Sequence, residues 1–157
     1  MYCDGMDERD ELGSELLRAV ARLNRWASRN ATLDVPMAQA RLLGVLDELG
    51  PARVSVLAAA DNCSQPTMTA QVQRLEAEGW AHRVPDPDDA RATLVSLTSK
   101  GTAALQRARE ARVAVLSPAL QSLDEAGVER LRTAVLVLDR LLHQATVATS
   151  PPTRKES

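Results

Sequence analysis

A chain of 157 residues fits one domain, or one domain with an added helical part. Apolar residues make up 45 % and charged residues 25 %, which excludes a disordered polar chain; Phe is absent, so any core is built from Leu, Val, Ala and Met. The net charge of −2 lacks the basic excess that often marks a DNA-binding domain, so a nucleic-acid role has to rest on geometry and motif.

No apolar run is long enough to cross a membrane, and the acidic start MYCDGMDERDEL has no signal-peptide core, so the expected location is cytoplasmic, away from any membrane. Cys3 and Cys63 form no CxxC pair, and His82 and His143 stand far apart, so no zinc set can be assembled and neither metal nor cofactor is expected. Two distant thiols in a cytosolic protein are expected to stay reduced.

The first seven residues read as frayed. From Glu8 to Ala27 the apolar positions Leu12, Leu16, Val20, Leu23 and Ala27 recur at steps of three and four, which predicts a helix. The stretch NATLDVP breaks it. Pro36 then suits the first turn of a second helix through Met37, Ala40, Leu43, Leu46 and Leu49, ended by Gly50-Pro51. Arg53-Val54 reads as a very short strand, Ser55 as the cap of a short helix over Val56 to Ala60, and Asp61-Asn62 as a turn.

Ser64 is expected to cap the next helix, with Pro66 in its first turn, where a missing N–H costs little. Met68, Val72 and Leu75 mark its buried face, leaving Gln65, Thr67, Thr69, Gln71, Gln73 and Arg74 for the others, and Gly79 ends it in the left-handed conformation. Two short β runs follow, Trp80 to Pro85 and Thr93 to Leu97, around the turn-forming tip PDPDDAR. Thr98 is the expected cap of a long helix to about Leu116, which Pro118 should kink or end. Asp124-Glu125 opens a last helix with Val128, Leu131, Val135, Leu138 and Leu142, and SPPTRKES is expected to be disordered.

Short helix, turn, helix and hairpin make a winged helix-turn-helix. Its second helix can enter the major groove of duplex DNA, while an arginine at the hairpin tip lies in the minor groove. The fold class expected is therefore mainly α, with a winged lobe over 36–98 carrying a two- or three-stranded wing. The apolar helices over 8–30 and 99–147 are too greasy to stand alone and form a helical bundle or an interface between two chains; 148–157 is the tail.

The run SQPTMTAQVQRLEAEGWAHRVPDPDDARATLVSLTSKG resembles the MarR family of bacterial transcriptional regulators. The resemblance is carried by P-T-x-T opening the recognition helix, R-L-E-x-x-G-W closing it, Arg83 on the first wing strand, D-P-x-D-x-R at the tip and L-T-x-x-G entering the next helix. It implies that Ser64, Gln65, Thr67, Thr69, Gln71 and Arg74 face DNA together with Arg83. Arg91 matches the wing-tip arginine, and Asp89 the aspartate that commonly pairs with it. Many members carry two adjacent arginines at the tip; here the order is Asp89-Ala90-Arg91-Ala92, so one cation is missing. Arg53 and Lys100 are weaker candidates for phosphate contact.

The resemblance further implies a homodimeric repressor on an inverted-repeat operator in double-stranded DNA. A small aromatic or phenolic effector would sit between the dimer region and the DNA lobe, lined by Leu, Val, Met and Trp26. Cys3 stands ahead of the first helix, outside the helical setting in which some members sense peroxide, and Cys63 reads as core. The competing reading is a helical module whose winged helix binds protein, kept alive by the bulk acidity and the thin charge at the tip. No G-x-S-x-G elbow, phosphate loop or EF-hand spacing is present, so the chain is not expected to be an enzyme.

Overall fold

The computed structural model of the chain describes residues 4–149. Among them lie six helices and one antiparallel hairpin, in the order α1 (Asp4–Asn30), α2 (Met37–Leu49), α3 (Val54–Ala60), α4 (Gln65–Ala77), β1 (Ala81–Asp86), β2 (Asp89–Leu97), α5 (Ser99–Gln121) and α6 (Glu125–Thr149). This is the mainly α, winged helix-turn-helix class read from the sequence. Cys3 and most of the expected tail lie outside the described residues. None of the helices described is long and apolar enough to cross a membrane.

The residues through Leu116 form one compact unit and those from Ser117 onward a second, so that the division falls within α5, just ahead of Pro118. In the first unit the core gathers the inward faces of α2, α3 and α4 with the base of the hairpin. Leu42, Leu43, Leu46, Leu57, Met68, Val72, Leu75 and Val95 are fully or almost fully buried there, with Trp80, Ala104 and Leu105 completing the cluster and Cys63 packed against it. With no Phe available, branched aliphatics, one Met and one Trp fill it, which is enough because close packing rather than ring size governs core stability.

The α3–α4 turn is held from α2. Asp61, 8 % exposed, accepts a charge-assisted hydrogen bond from Nε of Arg41, while Arg41 also donates to the Asp61 carbonyl at 2.8 Å. Asn62 takes the left-handed conformation at φ 50°, as Asn does at little cost. The end of α4 is a Schellman motif: Trp80 N–H donates to the Leu75 carbonyl at 2.8 Å and Gly79 N–H to Glu76 at 2.9 Å, with Gly79 at φ 70°.

Thr98 joins that end to α5. Its hydroxyl donates to the Gly79 carbonyl at 2.7 Å and accepts from Gly101 N–H at 3.0 Å, capping the helix as expected. Gly101 is buried so close to Trp80 that a Cβ there would stand 2.0 Å from the Trp80 carbonyl oxygen. The T-x-x-G spacing is thus a cap plus a close backbone approach.

Several sequence expectations are corrected. α1 begins at Asp4 rather than Glu8. The strand-like pairing before α3 is made by Ala52, not by Arg53-Val54: Ala52 exchanges hydrogen bonds of 3.1 and 2.8 Å with Val95 as a single bridge, and Arg53, though extended, pairs with no strand. Arg53 rather than Ser55 is consequently the N-cap of α3, since its carbonyl already accepts from Val56 and Leu57. Both wing strands reach further into the tip than PDPDDAR suggested, leaving only Pro87 and Asp88 as the turn.

α5 also runs past Pro118 to Gln121, since a proline removes one backbone donor and the last turn closes through Ser122 N–H to the Pro118 carbonyl at 3.2 Å. In the second unit Asp124 caps α6 by accepting from Gly127 N–H at 2.7 Å. α6 extends to Thr149, two residues into the stretch expected to be tail.

The α1 stripe is not buried within the chain. Ala27 is buried, but Val20 is 45 % exposed, Leu23 53 % and Leu12 64 %. On α6, Val128, Leu131, Val135 and Leu142 are likewise exposed.

Candidate nucleic-acid interface

Helix α4 presents a polar outer face because its apolar residues fall at 68, 72 and 75. Ser64 caps it, accepting from Thr67 N–H at 3.4 Å and sharing a 2.8 Å hydrogen bond with the Thr67 hydroxyl. Gln65, Thr67 and Arg74 are exposed. Thr69 is half-buried, and its hydroxyl donates back to the Gln65 carbonyl at 2.9 Å, which leaves its lone pairs and methyl group for a partner. Gln71 flanks the core: it is half-buried and its Oε1 is buried without a hydrogen-bond partner among the described residues. Gln73, left out of the site read from the sequence, belongs to the exposed polar face as well. It lies five residues after Met68, about 140° around the helix axis, and is exposed. The helical period by itself was the signal that would have found it.

The wing is tied to α4 by Arg83, whose Nε donates to Glu76 Oε1 at 3.0 Å, with a second, longer contact of 3.5 Å to Oε2. Arg83, expected to face DNA, therefore has its guanidinium engaged along the side of the recognition helix. Lys100 likewise donates to the Glu78 carbonyl at 2.7 Å, where a cation meets the negative end of α4.

At the tip the strand register jumps between Pro85 and Asp86. Pro85 pairs with Thr93 but Asp86 with Asp89, so Ala90, Arg91 and Ala92 have no cross-strand partners. Such a bulge re-aims a side chain, and here it carries an exposed arginine between two alanines. Asp89 does not pair with the Arg91 guanidinium as expected. Its Oδ1 accepts from the Arg91 backbone N–H at 3.1 Å, and its Oδ2 lies 3.5 Å from the Arg53 guanidinium. The physical reason is reach: in a bulge the backbone amide of Arg91 is nearest to Asp89, while the side chain projects outward.

The main partner of Arg53 is Asp86. Nε donates to Asp86 Oδ2 at 2.7 Å and the terminal nitrogen lies 2.6 Å from the same oxygen, while Asp86 Oδ1 accepts from Asp88 N–H at 2.9 Å. The Asp88 amide first, and then Arg53, hold the Asp86 carboxyl below the usual aspartate range, and Asp86 in turn raises the pKa of Arg53.

A cavity of about 300 Å³ opens where α1, α2 and α5 meet in the first unit, lined in part by Asn24, Met37, Arg41, Glu48, Leu105, Arg109 and Arg112. It is more cationic than the Leu, Val, Met and Trp26 lining expected, and Trp26 is not part of it. Arg41 and Arg109 are engaged with Asp61 and Asp47, whereas Arg112 donates to Asn24 and keeps a buried Nε without a hydrogen-bond partner among the described residues.

A family profile described as MarR family matches residues 35–93. An HTH-type transcriptional regulator of Mycobacterium bovis is 30 % identical over 141 residues, 89 % of this chain and 99 % of that one. This chain belongs to the MarR family. A transcriptional regulator from Pseudomonas aeruginosa superposes with a TM-score of 0.76 at 31 % identity, over 87 % of this chain and 96 % of that one. The HTH-type transcriptional repressor IacR of Pseudomonas putida is 30 % identical over 106 residues, 68 % of this chain and 62 % of IacR. The family profile spans α2, α3, α4 and most of the wing of this MarR-family transcriptional regulator.

Proposed function

We propose that this MarR-family regulator is a homodimeric repressor that binds an inverted-repeat operator in double-stranded DNA and is released by a small aromatic acid. The observation that carries the reading is the combination of a capped helix α4 with an exposed polar face and a wing, braced on that helix by Arg83 and Glu76, whose bulge projects Arg91. Gln65, Thr67, Thr69, Gln73 and Arg74 have the donors, acceptors and methyl groups that read base edges in the major groove, and Arg91 fits a narrow, electronegative minor groove. Gln71 contributes from the flank, and Ser64 through the helix cap. The kinship with a protein named as a repressor supports the sign of regulation.

Dimerisation is supported by the exposed apolar residues repeated along α1 and α6, since contiguous exposed apolar faces mark interaction surfaces. Two copies would bring two α4 helices to half-sites about 34–36 Å apart. The effector would enter the cavity beside Arg112, whose unsatisfied Nε favours a carboxylate, with its ring against Met37 and Leu105. The protein-binding alternative loses ground because two of the three tip acids face Arg53 rather than solvent partners.

Selection from random-sequence duplexes at low and physiological salt tests the proposal. An inverted repeat bound at physiological salt is the expected outcome; recovery of no motif at either salt would sink it. Benzoate, as a probe acid, should weaken that binding in the natural protein and not in an Arg112→Ala variant.

A further inference from the structure

The wing acids and Arg53 form a connected set that the DNA-facing residues do not account for. Arg53 sits at the N-cap of α3, anchored by the Ala52–Val95 bridge next to it. Each of its two carboxylate partners uses one oxygen for the guanidinium and the other for a tip amide. Asp86 bonds Arg53 through Oδ2 and Asp88 N–H through Oδ1; Asp89 contacts Arg53 through Oδ2 and Arg91 N–H through Oδ1. The guanidinium is thereby linked through Asp89 to the backbone of Arg91, the residue that the bulge projects, and through Asp86 to the backbone of Asp88 in the turn. The Asp86 side chain is only 6 % exposed, so its charge faces the arginine rather than solvent.

We propose that Arg53 is a positioning residue for the wing: by holding Asp86 and Asp89 it fixes the bulge that presents Arg91 to DNA. A phosphate contact by Arg53 itself fits less well, because two carboxylates already offset its charge. The inference rests on the DNA-binding reading above for its consequence, though not for its geometry. A guanidinium from the start of the helix-turn-helix, two tip carboxylates and two backbone amides of the tip meet at this point, and removal of the guanidinium or of either carboxylate should release the same bulge.

The test has two arms. In the absence of DNA, hydrogen exchange at the Arg91 backbone amide should speed up at least tenfold in Arg53→Gln, with amides of α4 unchanged; an Arg91 amide that exchanges equally fast in both proteins overturns the latch whatever the protein binds. With the selected operator, Arg53→Gln and Asp86→Asn should each raise Kd about tenfold. Asp86→Asn removes a negative charge near the phosphates, so charge alone predicts tighter binding, and an unchanged or lower Kd counts against the proposal. In an Arg91→Ala background, Arg53→Gln should cause no further loss; additive losses would make Arg53 a DNA contact in its own right and overturn the positioning role. Should Arg53→Gln fail to fold, Arg53→Lys serves in both arms, since it keeps the charge but loses the fork that reaches both carboxylates. Failure of the natural protein to select any operator would defeat the DNA-binding reading, while the exchange arm would still decide the latch.

Discussion

Asp86, Asp88 and Asp89 look unsuited to a DNA-binding wing when they are counted as charge, and the structure gives each a different setting. Asp86 and Asp89 are turned towards Arg53, while Asp88 supplies a backbone amide to Asp86. Because the Asp86 carboxyl titrates below its unfolded value, its contribution is fully present above about pH 4 and is lost as pH falls through the lower, folded value. Arg53 is the charged group that pairs with it, while Asp88 and Asp89 act on it through their backbone amides. The difference in unfolding free energy between the natural protein and Asp86→Asn should therefore be constant from about pH 7 to pH 4 and shrink in more acidic buffer. A difference that grows on acidification would contradict the ion pair. At the same scale, Arg91→Ala should weaken operator binding by about 1–3 kcal/mol without moving the thermal midpoint, measured by fluorescence anisotropy alongside calorimetry.

The elements depend on joints as much as on propensity. The end of α4, the Schellman turn at Gly79, the Thr98 cap and the close approach of Gly101 to Trp80 form one continuous junction between recognition helix, wing and α5. Gly101→Ala cannot be absorbed by a rotamer change, because the opposing atom is a backbone oxygen. It should cost about 1–3 kcal/mol, as overpacking does, and a variant as stable as the natural protein in urea would show that the junction gives way easily. Ser64→Ala removes a cap from α4 and should cost about 1 kcal/mol in the same titration. Leu75, fully buried on the inner face of that helix, should cost about 2–5 kcal/mol as Leu75→Ala. If Leu75→Ala lost no more stability than Ser64→Ala, the assignment of the inner face would be wrong.

For the whole molecule, the question is where the apolar faces of α1 and α6 find cover. Leu17 is 72 % exposed and Leu136 64 %, whereas the core of the winged lobe is closed. A second copy is the proposed cover. Leu23→Asp, placed on the groove where α1 meets α5, should lower the sedimenting mass from dimer to monomer and abolish cooperative binding to an inverted repeat. An unchanged dimer mass would move the interface away from α1.

Local physical chemistry made much of this protein readable in its sequence. The period of Met68, Val72 and Leu75 placed the inner face of α4, Ser64 and Thr98 announced two caps, and Gly79 marked a left-handed turn, because each of these depends on neighbours a few residues away. The motif from Ser64 to Gly101 carried the family resemblance for the same reason. Its partnerships were another matter. That Arg83 goes to Glu76, that Arg53 reaches across 33 residues to Asp86, and that Asp89 holds the Arg91 backbone rather than its side chain could not be deduced from spacing. Nor could the shift of the bridge to Ala52 or the partial burial of Gln71. Charges and amides choose partners by distance in space, and only the packing of the hairpin against the helices brought these groups within a few ångströms.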